Sequence, residues 1–124
     1  MLYIEDFKTA FRKARAIQDM ENEIEELKVK LNIAKNNENK KKIKGQIESF
    51  ELRIAIQNGD LFDIEKFIAE ADDSFVSQLM YHRFIKGESW LRVSTLSGGY
   101  CTADCVRRIV ERYLKKKGIT KKSN

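Results

Sequence analysis

Not one proline occurs in this chain of 124 residues, and glycine occurs only six times. Proline removes a backbone donor and clashes with the preceding turn, so its absence leaves few places where a helical hydrogen-bond ladder must stop. The spacing of the apolar residues then decides what kind of helices form. They recur at three- and four-residue steps over most of the length, which predicts an all-α chain.

From about Phe7 to Ala34, Ile17, Met20, Ile24, Leu27, Leu31 and Ala34 fall on one narrow stripe, as in a helical hairpin or coiled coil. Glutamates and lysines fill the intervening surface, with Glu26 and Lys30 oriented for a small i,i+4 gain. The next seam positions, Glu38 and Lys41, are charged, and both lie in the polar run NNENKKKIKG from Asn36 to Gly45. A second stripe begins out of phase at Ile43 and continues through Ile47, Phe50 and Ile54. Either the asparagines turn the chain into an antiparallel hairpin or one long helix continues with a shifted seam. Both forms carry more stripe than one helix needs, so a homo-oligomer is expected, a dimer in preference. Lys40–Lys44 reads either as a solvated helix bend or as a contact for a phosphate backbone.

The sequence IQNGD is the clearest internal boundary: Gly59 can end a helix and Asp60 can cap the next. A short helix is expected with Leu61, Ile64, Phe67 and Ile68 inward. After a cap in Asp72–Ser74, another follows over about Phe75–Ile85, burying Phe75, Leu79, Met80 and Phe84. The expected ranges are 1–58 for the helical assembly region, 60–118 for a second domain and 119–124 for a basic flexible tail.

Two elements close the second domain. Ser89 caps a short helix that turns Trp90, Val93 and Leu96 inward and ends near Ser97; Gly98 and Gly99 allow a sharp change of direction. Thr102 caps the next helix, which buries Cys105 or Val106, Ile109, Val110, Tyr113 and Leu114. Ala103, Asp104, Arg107, Arg108 and Glu111 then lie toward the opposite surface. A braced helix with arginines on its early turns suits the recognition helix of a helix-turn-helix. In that reading Arg107 and Arg108 donate to guanine or to phosphates, and Asp104 accepts from cytosine or orients an arginine. Arg83, Lys86, Arg92 and Arg112 are candidate phosphate contacts. The expected fold is thus an amino-terminal long helix, helical hairpin or coiled coil followed by a small carboxyl-terminal helix-turn-helix bundle.

The segment RFIKGESWLRVSTLSGGYCTADCVRRIVERYLKK resembles the carboxyl-terminal helix-turn-helix of small phage-encoded transcriptional regulators, which are similar to region 4 of sigma-70-type factors. The resemblance rests on Phe84 and Gly87, Ser89-Trp90, Gly98-Gly99, Thr102, Val106-Arg107-Arg108 and Arg112-Tyr113-Leu114. It implies a regulator of phage or prophage genes acting on promoter DNA, more an activator than a repressor, with host RNA polymerase as a further partner. In this chain Ser94–Cys101 is longer than the usual sigma-type turn.

Charge agrees with a nucleic-acid partner without requiring one. Lysine and arginine number 24 against 19 acidic residues, and the last ten residues hold five lysines and no acid. No continuous apolar run approaches a membrane span, and two cysteines without a disulfide-style framework suit a reducing cytosol, so a cytoplasmic location is expected. Cys101, Cys105 and the single His82 do not complete a zinc ligand set. No phosphate-binding or dinucleotide-binding glycine pattern occurs. Neither enzyme activity, a metal nor a cofactor is expected. A phage DNA-packaging recognition subunit and a protein-interaction adaptor are the alternative readings.

Overall fold

The computed structural model describes residues 1–122 and is all-α: long amino-terminal helices precede a smaller carboxyl-terminal helix bundle. The helices are α1 (Ile4–Ile33), α2 (Asn37–Ala69), α3 (Ser74–Met80), α4 (Trp90–Leu96) and α5 (Ala103–Lys116). A single π-helical turn, Tyr81–Ile85, extends α3. The chain forms two compact units, one spanning Lys13–Asp60 and the other combining Met1–Arg12 with the chain from Leu61 onward.

In the first unit the polar run holds the turn of a hairpin. α1 stops at Ile33, and the Asn36 side chain accepts from the Glu38 amide at 2.7 Å, capping the start of α2. The out-of-phase stripe therefore belongs to the returning helix. Ile24 and Leu27 of α1 pack with Ile47 of α2, and Leu31, Ile43, Phe50 and Ile54 flank them half-buried.

The boundary expected at Gly59 is not a helix end. α2 runs through it, Gly59 keeps a negative φ, and Asp60 pairs with Lys13 at 3.8 Å instead of capping a new helix. An interior glycine costs about 1 kcal/mol relative to alanine. The helix carries that cost and continues to Ala69, with Leu61, Ile64 and Ile68 buried in its last turns.

The second unit is built around Phe7, which has no exposed surface and meets Phe67 and Phe84 edge to face, each at 5.3 Å between ring centroids. Ile64 of α2, Leu79 and Met80 of α3, Val93 of α4, and Val106 and Val110 of α5 complete the set of large, fully enclosed side chains. The compact units thus divide the chain differently from the expected ranges, because the bundle takes its central aromatic from the first helix.

Three inward assignments shift. Val76, not Phe75, joins Leu79 and Met80, since the Asp73 cap on the Phe75 amide (2.8 Å) sets a phase in which 76, 79 and 80 share a face. Leu96 is exposed, and α4 turns Val93 and the small Ser94 inward instead. Trp90 is half-buried, its edge toward Phe84 and its face covered by Arg83. The expected flexible tail also has a docked beginning. Ile119 is buried, the Ile4 amide donates to the Thr120 carbonyl at 3.0 Å, and the Lys122 amide donates to Glu5 at 3.1 Å. Its last positions, Ser123 and Asn124, lie outside the described residues.

Candidate nucleic-acid interface

α4 and α5 each begin on the side chain expected to cap them. The Ser89 hydroxyl accepts from the Arg92 amide at 3.1 Å, and the Thr102 hydroxyl accepts from the Cys105 amide at 3.1 Å. Between the helices, Gly98 and Gly99 occupy positive φ of 105° and 71°, a region side chains with a Cβ rarely enter. The turn is closed from within. Ser94, buried on α4, donates its hydroxyl to the Cys101 carbonyl, while its own carbonyl accepts from the Ser97 hydroxyl at 2.9 Å and the Gly99 amide at 3.0 Å. Sequence reasoning missed Ser94. Its signal was a serine beside the inward Val93, a polar group that must find a partner when buried.

Val106, Val110 and Leu114 turn one face of α5 inward. On the other face, Asp104, Arg107, Arg108 and Glu111 form one ion-pair network. Arg107 binds Asp104 and donates to Glu111 at 2.9 Å, and Arg108 reaches the second oxygen of Asp104 at 2.9 Å. The hydrogen bond from Arg107, reinforced by the charge of Arg108, holds the Asp104 carboxyl below the usual aspartate range. Asp104 and Glu111 in turn hold the Arg107 proton more firmly than usual. An acid on the first turn also complements the helix dipole.

The network separates two arginines that look equivalent in sequence. Arg107 is clamped on both sides with 38% of its side chain exposed, whereas Arg108 keeps 63% and shares a single partner. Arg112, one turn beyond Arg108, is exposed, as are Thr102 and Arg92, while Ala103 is half-buried.

Two further basic candidates make contacts of their own. Arg83 serves the fold: it donates to the Glu88 carbonyl at 2.9 Å and stacks on Trp90 with its guanidinium 4.8 Å from the ring centre. The Lys86 ammonium lies over Tyr81 at 5.7 Å. Cys101 and Cys105 are half-buried, and a hydrogen bond between them, aided by burial, pushes the Cys101 thiol above its ordinary value.

Two apolar residues near the turn were also missed. Tyr100, between the glycines and the Thr102 cap, is 96% exposed, and Leu91 on α4 is 70% exposed. An aromatic side chain displayed so fully beside a helix start has the reach to stack on or wedge against a neighbouring surface. Among the described residues no helix is long and apolar enough to cross a membrane. Comparisons with family models, with curated proteins and with solved structures find no match to this chain.

Proposed function

We propose that the protein is a sequence-specific double-stranded DNA-binding transcriptional regulator in which α5 is the recognition helix and α4 its brace. The observation that carries this reading is the free-standing early face of α5: capped at Thr102, fixed to α4 through the Ser94-closed turn, and displaying Arg108 and Arg112 one turn apart. Arg108 exchanges its Asp104 partner for a guanine edge or a phosphate, an exchange of one charge-assisted contact for another. Arg107 stays on Asp104 and Glu111, so the acidic first turn approaches DNA partly neutralised. Arg92, Arg112 and Lys86 supply phosphate contacts, and Tyr100 packs at the groove edge.

The hairpin unit pairs two copies, which sets two recognition helices on neighbouring half-sites. Exposed apolar side chains on the hairpin, Val29, Ile33, Leu52 and Ile56, support such pairing. The resemblance to phage regulators favours activation of phage or prophage genes, with a contact to host RNA polymerase.

The test is selection of duplexes from a randomised pool, followed by binding of the recovered duplex against a scrambled one at near-physiological salt. A defined site with strong preference is expected, and Arg108→Ala should relax specificity at one position by about 1–3 kcal/mol. Uniformly weak, salt-sensitive binding would reduce the site to a basic surface and refute sequence reading.

A further inference from the structure

The bundle unit contains an open trough of about 990 Å³ that the DNA-reading proposal leaves unexplained. Its two walls are helical stripes. α1 contributes Ile4, Lys8 and Phe11, spaced i, i+4 and i+7, and α5 contributes Arg107, Val110, Leu114 and Lys115, spaced i, i+3, i+7 and i+8. At about 1.5 Å of rise per residue, each wall runs roughly 10–12 Å, the length of two helical turns.

The rest of the lining includes the apolar side chains of Phe84 and Ile119, which are buried, and of Trp90, which is half-buried. The rim is basic. Lys8, Arg83, Arg107, Lys115 and Lys121 border the trough, and the one carboxylate among its lining residues, Glu111, already accepts from Arg107 at 2.9 Å. A cleft lined by two helices, with apolar side chains and a net-basic rim, has the character of a helix-in-groove site. Duplex DNA matches the rim but offers no apolar ridge to cover the half-buried Ile4, Phe11 and Trp90. A helix with apolar residues at i, i+3 or i+4, and i+7, flanked by aspartate and glutamate, matches both.

We propose that this trough docks an acidic amphipathic helix of a partner protein. Lys8, Lys115 and Lys121 meet the acidic flanks, and Phe11 and Trp90 receive the apolar anchors. Arg83, stacked on Trp90, presents charge at the edge of the bed. Complementary rim charge governs encounter and selectivity, while the apolar bed governs how long the helix stays. The proposal stands apart from DNA reading, whose principal arginines, Arg108 and Arg112, do not line the trough.

The probe is a displayed library of helical peptides with randomised surface positions, selected on the intact chain without DNA. Enriched peptides are expected to combine an apolar stripe with acidic flanks. Titrating one into isotopically labelled protein should shift the amides of Lys8, Phe11, Trp90 and Leu114. Lys8→Glu combined with Lys115→Glu should weaken it about tenfold or more. The same pair changed to alanine gives a milder loss and serves if charge reversal disturbs folding. Overturning results are no enriched peptide, enrichment of neutral or basic peptides, a footprint elsewhere, or unchanged affinity in both double variants. Protection of the trough by duplex DNA but by no peptide would assign it to nucleic acid and equally refute the proposal. An unchanged affinity of Lys8→Ala for a selected duplex would show that the two surfaces operate separately.

Discussion

In the Lys13–Asp60 unit the best-covered side chains, Ile17, Ile24, Leu27 and Ile47, each keep 7–8% of their surface in solvent. In the other unit Phe7, Ala10, Leu79, Met80, Val93, Val106 and Val110 keep none. The contrast follows from geometry. Two antiparallel helices meet along one seam and can cover each other on one side only, whereas a bundle with crossing helices surrounds its central residues. The hairpin therefore leaves its seam close to water, whereas the bundle encloses the inward face of α5.

That contrast is broken or sharpened first by core truncation. Phe7→Ala should cost about 3–5 kcal/mol because it empties the space between Phe67 and Phe84. Ile24→Ala in the hairpin should fall near the low end of its class, about 2 kcal/mol, since its seam lies close to water. Urea unfolding followed by Trp90 fluorescence and by circular dichroism separates them; equal losses would erase the distinction.

A second, smaller effect tests how α1 is tied into the bundle. Gly87 sits at φ +71°, and a Cβ there would come within 2.9 Å of the Phe11 ring. Gly87→Ala should destabilise the bundle by about 1–3 kcal/mol, through strain and this contact together. A neutral result in thermal unfolding would contradict both the positive φ at Gly87 and the approach of Phe11. Smaller again, Thr102→Ala should cost about 1 kcal/mol by freeing the Cys105 amide, with amide exchange rising at the first turn of α5.

The smallest expected effect is electrostatic. Asp72 and Lys117 pair at 2.9 Å on the surface of the bundle unit, and the hydrogen bond from Lys117 lowers the Asp72 carboxyl. A carboxyl with a depressed folded value stabilises above the ordinary aspartate value of about 3.9, and that contribution is lost as pH falls through the depressed one. Asp72→Asn should thus lower Tm slightly at neutral pH and leave it unchanged in strong acid, where both chains carry a neutral group. A difference that grows in acid would contradict the pairing.

The parts legible in the sequence are those written in local spacing. The α1 stripe, the asparagine turn, the Ser89 and Thr102 caps and the Val106–Val110–Leu114 face each depend on neighbours within a few residues. Gly59 misled because a glycine only weakens a helix, by about 1 kcal/mol, and does not have to end it. The Phe7–Phe84 contact, the Phe11–Gly87 approach and the return of Ile119 join residues far apart in the chain, and no periodicity announces them. For the site, the arginine cluster on α5 was visible. Its internal pairing was partly visible too, since Asp104–Arg107 and Arg107–Glu111 stand at i,i+3 and i,i+4. The role of Arg83 was not, because its use depends on Trp90 coming beneath it.

The central claim is that α5 enters DNA with its early turns. Amide and side-chain shifts of the labelled chain, titrated with the duplex recovered by selection, test it most directly. The expected footprint covers Tyr100 and residues 102–112, with the Arg108 side chain slowed and that of Arg107 unchanged. Shifts confined to the lysines beyond Leu114, with Tyr100 and residues 102–112 silent, would contradict the claim.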